Sequence, residues 1–244
     1  MLKPIPQIKR LSLGLLAVIG AATLPSAGAD VPWNRFEDAW LQSNGGHTGD
    51  DNPFTYHEQL INGGFESGGL AGWRLVTALR PPEWHVVSGT VGQHPFGSSD
   101  GSYFATVWPT GGAWPAGSVS ILDQQAGLSP THTGEALVRF EAIWAYDAIA
   151  MELDWVDASG GLLERVELGD FGGRPGVGNE AYRQVVPIPA GATGFVFRGL
   201  AQLKDGSWID SGFDHASVVI ATPIPEPASG AALAAALLLL RRRR

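Results

Sequence analysis

Catalysis requires particular side chains at particular spacings, and few such constellations occur in these 244 residues. There is no Gly-x-Ser-x-Gly elbow, no His-Glu-x-x-His zinc helix, no Gly-x-x-x-x-Gly-Lys phosphate loop and no calcium loop of EF-hand spacing. His47, His57, His85, His94, His132 and His215 stand singly, without ligand spacing. Cysteine is absent, which excludes disulfides, thiolate zinc sites, iron–sulfur clusters and a thiol nucleophile. A glycosidase needs two carboxylates about 5–9 Å apart across a cleft. Glu152 and Asp154, two apart on a predicted strand, share a face, as Glu164 does with a partner across the next hairpin. Met151, Leu153 and Trp155 alternate with the first pair, so the apolar set faces a core and the acids read as a solvated outer face.

The aromatic residues offer binding chemistry instead. Nine tryptophans are many for this length, and Trp108-Pro109-Thr110-Gly111-Gly112-Ala113-Trp114-Pro115 sets two of them in a Pro/Gly loop, where burial is hard to arrange. An exposed indole presents an apolar face to the CH groups of a pyranose while its N–H reaches a hydroxyl. Trp108 and Trp114 are therefore candidate glycan platforms, with Trp84, after Pro81-Pro82, a third. Packing of the loop is the competing reading for the 108–114 pair. Trp73, Trp144, Trp155 and Trp208 sit in strand-like runs, where core packing is expected.

The elements that must carry these residues read as β. The apolar fraction of 44% supports one packed core, and Gly 33 with Pro 17 supplies turns without reaching low-complexity levels. Strand-like runs punctuated by Gly, Pro, Asp and Asn fall at 60–66, 72–78, 84–87, 102–108, 118–124, 135–145, 149–156, 162–168, 182–188, 194–199 and 213–220. Asp157-Ala158-Ser159-Gly160-Gly161 predicts a hairpin turn. Ahead of these runs, Pro32–Gln42 reads as a short helix with Trp33, Phe36, Trp40 and Leu41 on one face, followed by a polar loop over 45–53. Many short strands without helical partners predict an all-β, two-sheet antiparallel sandwich over 59–222, preceded by an N-terminal helix and loop over 30–58. Residues 30–223 hold nine Lys/Arg against 23 Asp/Glu, a net charge of −14. A body this acidic repels phosphate backbones, which argues against a nucleic-acid partner.

Both ends carry address-like patterns. Lys3, Lys9 and Arg10 precede an apolar stretch from Leu11 to Leu24 and then Ala27-Gly28-Ala29, the order of a secretory signal peptide, with a mature chain expected from Asp30. At the other end Pro225-Glu226-Pro227 precedes the apolar run Ala228–Leu240 and Arg241, Arg242, Arg243 and Arg244. Thirteen helical residues rise about 20 Å, short of the hydrocarbon core of roughly 30 Å. Residues 223–244 resemble the PEP-CTERM sorting signal of Gram-negative bacteria. That resemblance implies recognition by an exosortase, transient residence of the C-terminal hydrophobic helix in the inner membrane, removal of the tail, and delivery to the cell envelope or extracellular matrix. An ordinary tail anchor is the alternative.

A second resemblance covers about 59–222. Leu60-Ile61-Asn62-Gly63-Gly64-Phe65-Glu66 followed by Gly72-Trp73 is similar to the opening of carbohydrate-binding-module-type jelly rolls, the galactose-binding-like sandwiches. Asp100-Gly101-Ser102-Tyr103 and the closing Asp214 fit later landmarks, although the family's closing acidic pair is here Asp214-His215. The resemblance implies a jelly roll with structural Ca²⁺ held by Glu66, Asp100 and Asp214. The expected function is non-catalytic binding of an extracellular polysaccharide, a neutral glycan rather than an anionic one given the charge of the body. A structural matrix component without a specific ligand, or a polysaccharide hydrolase or lyase on the same scaffold, are the alternatives.

Overall fold

Alternation of apolar and polar side chains takes the chain into strands because a period of two buries one side of a pleated surface. A computed structural model of the chain describes residues 54–76, 83–89, 103–108, 114–172, 176–204, 206 and 209–224, all within the unit Pro25–Ile224. The segments expected to be a signal peptide (1–29) and a sorting tail (225–244), the helix expected at Pro32–Gln42 and the loop after it, Asp100 and Trp208 lie outside the described residues. Among the described residues no helix is long and apolar enough to cross a membrane.

The strands are β1 Phe54–Glu58, β2 Arg74–Val76, β3 Glu83–Ser88, β4 Tyr103–Trp108, β5 Val119–Gly127, β6 Glu135–Ala145, β7 Ala148–Val156, β8 Leu162–Gly172, β9 Val177–Pro187, β10 Gly194–Gln202 and β11 Ser211–Pro223. They form two antiparallel sheets, a six-stranded one in the order β3-β4-β11-β6-β9 with β1 also paired to β11, and a five-stranded one in the order β2-β5-β10-β7-β8. This is the all-β, two-sheet antiparallel sandwich that the strand pattern predicts, and it is consistent with the jelly roll that the resemblance implies. The hairpin at Asp157–Gly161 forms as expected: Asp157 Oδ1 accepts the N–H groups of Ser159 and Gly161, both at 2.8 Å, and Gly160 supplies a φ of 80°.

The main core lies between the sheets. Met151, Leu153 and Trp155 of β7 are fully buried in it, with Phe195 and Phe197 of β10 and Phe213 of β11. Phe213 is an aromatic hub: its ring centroid lies 5.5 Å from Phe65, 5.3 Å from Trp73 and 5.5 Å from Trp84, all edge-on. Each such pair adds about 0.5–1.5 kcal/mol beyond the area it buries.

Two expectations are corrected. The sandwich takes in β1, which lies ahead of the boundary expected at residue 59 and pairs along β11 from Phe54↔Pro223 to Glu58↔Val219. The strand expected at 60–66 is instead a run of turns with Asn62 and Phe65 both left-handed, at φ of 55° and 53°. Apolar Leu60, Ile61 and Phe65 suggested a strand, but Asn62-Gly63-Gly64 bends the chain so that Phe65 enters the core from above. The Asn62 side chain ties the bend together by donating to Gly69 O at 2.7 Å, and the Trp73 indole N–H donates to Asn62 O at 3.1 Å. Gly63 is required by contact: a Cβ there would stand 1.8 Å from the Ala216 carbonyl oxygen. Asn62-Gly63-Gly64-Phe65 with Trp73 is thus a plug that closes one end of the core.

Candidate functional site

The outer face of the five-stranded sheet carries an organised row of charge. Register aligns Arg74 of β2 with Asp123 of β5, Asp123 with Arg198 of β10, Arg198 with Glu152 of β7, and Glu152 with Glu167 of β8. Cross-strand partners project on one face, so the row runs over all five strands. One step along, Asp154 of β7 is aligned with Arg165 of β8. These strands place the charges because their alternate residues, among them Leu122, Phe197 and Leu153, are committed to the core.

The contacts form a continuous ladder. Arg74 grips Asp123 with two bonds, Nε to Oδ1 and Nη2 to Oδ2, both 2.9 Å. Arg165 grips Asp154 in the same manner at 2.7 and 3.0 Å, and its Nη1 lies 3.4 Å from Glu152 Oε2. Arg198 stands between them: it donates to Asp154, and its Nε lies 3.7 Å from Asp123 Oδ2. The acids sit deep and the guanidiniums lie over them. Asp123 and Asp154 are buried, whereas Arg74 is 63% and Arg165 44% exposed. Burial pushes the Asp154 carboxyl up, but the hydrogen bonds and charges of Arg165 and Arg198 outweigh it and hold the group below its ordinary value. Asp123 in turn favours the charged form of Arg74. The three guanidiniums are each engaged by carboxylates of Asp123, Glu152 and Asp154, with Glu167 at the β8 end of the row, so a strip of paired charge crosses an acidic body. Planar guanidiniums with fixed orientation stack on flat apolar faces and direct N–H groups sideways, and carboxylates accept from hydroxyls.

The aromatic candidates are placed differently from the sequence expectation. Trp84 is a core residue, 2% exposed: its register with Val107 turns it inward against Phe213, so it offers no platform to a ligand. The strand expected at 84–87 forms as β3, and alternation along it turns Trp84 to the buried side. Trp114 is half-buried and packs on the main core. Trp108 ends β4, and its side chain lies outside the described residues. Glu152 and Asp154 do face outward, yet they are bound by arginines and not merely solvated. Glu164 lies opposite Trp155 and has no acid partner across that pairing. The ladder went unread in the sequence, although lone charges inside apolar strands, Asp123 and Arg198 above all, were a usable signal.

Of the expected calcium ligands, Glu66 and Asp214 flank Gly64: a Cβ at 64 would lie 3.9 Å from Glu66 Cγ and 4.0 Å from Asp214 Oδ1. Glu66 Oε1 accepts the Tyr103 N–H at 3.1 Å. Asp100 lies outside the described residues. Asp214 is grouped with Glu141 and His215, so an imidazole enters the donor set. Calcium chemistry is built on oxygen, and this mixed set suits it less than a metal that accepts nitrogen.

No protein-family profile and no curated protein matches the chain by sequence. Solved structures resemble it in fold. They include the enzymatically active domain of tailspike protein 4 of bacteriophage CBA120, at 13% identity and a TM-score of 0.47, where the match covers 68% of this chain and 21% of the tailspike. TmCBM61, solved with β-1,4-galactotriose, matches at 18% identity and a TM-score of 0.44 over 69% of this chain and 99% of that one. The C-terminal family 22 carbohydrate-binding module of Clostridium thermocellum Xyn10B matches at 18% identity and a TM-score of 0.41 over 72% of this chain and 99% of the module.

Proposed function

We propose that the chain is an exported envelope or matrix protein whose sandwich binds a neutral glycan without catalysis, along the charge ladder of the five-stranded sheet. The single observation that carries this reading is the ladder itself. Arg74, Asp123, Arg198, Glu152, Asp154 and Arg165 fix donors and acceptors in one plane before any ligand arrives, which lowers the ordering cost of binding a flexible hydroxylated chain. The net charge of −14 over residues 30–223 works against an anionic polysaccharide. A glycosidase needs a carboxyl protonated near neutral pH to act as acid. Asp154, held ionised by two arginines, is unsuited to that task. The basic-apolar-small leader and the Pro-Glu-Pro, apolar and arginine tail support export followed by exosortase processing, with the inner membrane a transient partner.

Affinity electrophoresis of the full-length protein in gels containing neutral polysaccharides tests the binding reading. The native protein is expected to be retarded by at least one of them, and Arg74→Lys and Arg165→Lys, which keep a cation over the buried Asp123 and Asp154 but lose the planar fork, to weaken that retardation while their melts stay close to the native one. Equal mobility in every gel, or retardation untouched by both substitutions, would sink it in favour of a structural matrix role or a different surface.

A further inference from the structure

The bulge in β11 gathers three metal-ligating side chains at one point of the six-stranded sheet. Glu141 of β6 and Asp214 of β11 are cross-strand partners, so their side chains leave the sheet on the same face. In a regular strand His215 would point to the opposite face. Here the register shifts between Asp214 and Ser217, and His215 takes a left-handed φ of 50°, which returns its ring to the two acids. Its Nδ1 lies 3.6 Å from Glu141 Oε2 and 3.7 Å from Asp214 Oδ2, and the ligand atoms of all three residues lie within 4.8 Å of one another.

The surroundings orient these atoms. Asn179 Nδ2 donates to Glu141 Oε1 at 2.7 Å, which turns Oε2 toward the imidazole. The His215 N–H donates to Asp214 Oδ1 at 2.7 Å, which turns Oδ2 the same way. Glu141 is 4% exposed and Asp214 fully buried, while His215 is 38% exposed and opens the cluster to solvent. Gly64 borders the cluster without a side chain: a Cβ there would stand 3.8 Å from His215 Cδ2.

We propose that Glu141, Asp214 and His215 form a binding site for a divalent transition-metal ion, with zinc the favoured occupant and water completing its coordination. Zinc accepts imidazole nitrogen and carboxylate oxygen at about 2.0–2.2 Å, so tetrahedral ligand atoms stand roughly 3.3–3.6 Å apart, near the separations from Nδ1. The site shares only Asp214 with the calcium set Glu66, Asp100 and Asp214, and it is independent of the glycan ladder on the other sheet. Its occupant would clamp β6 to the bulge on which the plug around Gly63 docks.

Full-length protein, stripped with chelator and returned to metal-free buffer, is titrated calorimetrically with zinc alone, manganese alone and calcium alone. The variants are Glu141→Gln and His215→Asn; asparagine tolerates a left-handed backbone, so the second removes the imidazole without straining the bulge. Zinc or manganese is expected to bind at one site, to raise the melting temperature, and to bind about tenfold or more weakly in both variants. Absence of zinc and manganese binding, or binding unchanged in His215→Asn, overturns the site. So does calcium binding that exceeds zinc binding and is insensitive to His215→Asn, which would assign the cation to Glu66 and Asp214 through oxygen alone.

Discussion

Asp147 and Asp210 show how one carboxylate sets another's charge. Asp147 is buried after β6 and accepts the N–H groups of Lys204 at 2.7 Å and Asp210 at 3.1 Å. Burial first, and then the charge of Asp147, push the Asp210 carboxyl from 3.8 up to about 7. Between those values the folded chain holds a proton that the unfolded chain has released, so stability declines as pH rises from about 4 to about 7 and then levels off. Melting temperature is expected to drop from about pH 5 to about pH 8 in the native protein and much less in Asp210→Asn. Equal slopes would mean that the pair does not share a proton. Trp84 supplies a second test at this scale. Because its indole is packed against Phe213, Trp84→Ala should cost about 3–5 kcal/mol in denaturant titration. Below its unfolding transition the same variant should keep its retardation by glycan, the reverse of the outcome expected for Arg74→Lys.

At the scale of elements, the bend after β1 and the bulge in β11 are a fitted pair. The Ala216 N–H donates to Gly63 O at 3.1 Å, and Glu58 Oε1 at the end of β1 accepts the Val218 N–H at 3.0 Å. The bend is thus tied to the bulge itself, and the end of β1 to β11 just beyond it. Gly63→Ala drives a methyl group into the Ala216 carbonyl, and neither backbone can yield without breaking these bonds. It is expected to destabilise the sandwich at the upper end of the about 1–3 kcal/mol that overpacking costs, read as a lower denaturant midpoint at unchanged slope. A midpoint equal to that of the native protein would mean that the plug is not tightly docked.

For the whole molecule, charge and processing go together. The acidic body is repelled by anionic surfaces, whereas seven basic residues lie in the two ends that the proposed processing removes. Under that proposal, mass spectrometry of the protein isolated from its native source should find an N-terminus near Asp30 and no peptide containing Leu240 and the terminal arginines. Recovery of that peptide from most of the population would replace the sorting reading with a permanent tail anchor.

The strands were legible because their signal is local. Alternation in Met151–Trp155 and turn residues in Asp157–Gly161 determine a strand and a hairpin without help from distant parts of the chain. The charge of the body and the address-like ends are likewise properties of composition and order. Only the tertiary structure decided which strands became neighbours, because cross-strand register depends on residues far apart in sequence. Arg74, Asp123, Arg198 and Glu152 are unremarkable one at a time; aligned over adjacent strands, they become a ladder. Trp84 and the residues around Asn62 misled for the same reason: aromatic and apolar side chains announce that something will be buried, but packing against Phe213 and Ala216 determines where. Glu141 became the partner of Asp214 through register between distant strands, and a single bulge added His215, because a one-residue shift in register reverses the face on which a strand side chain projects.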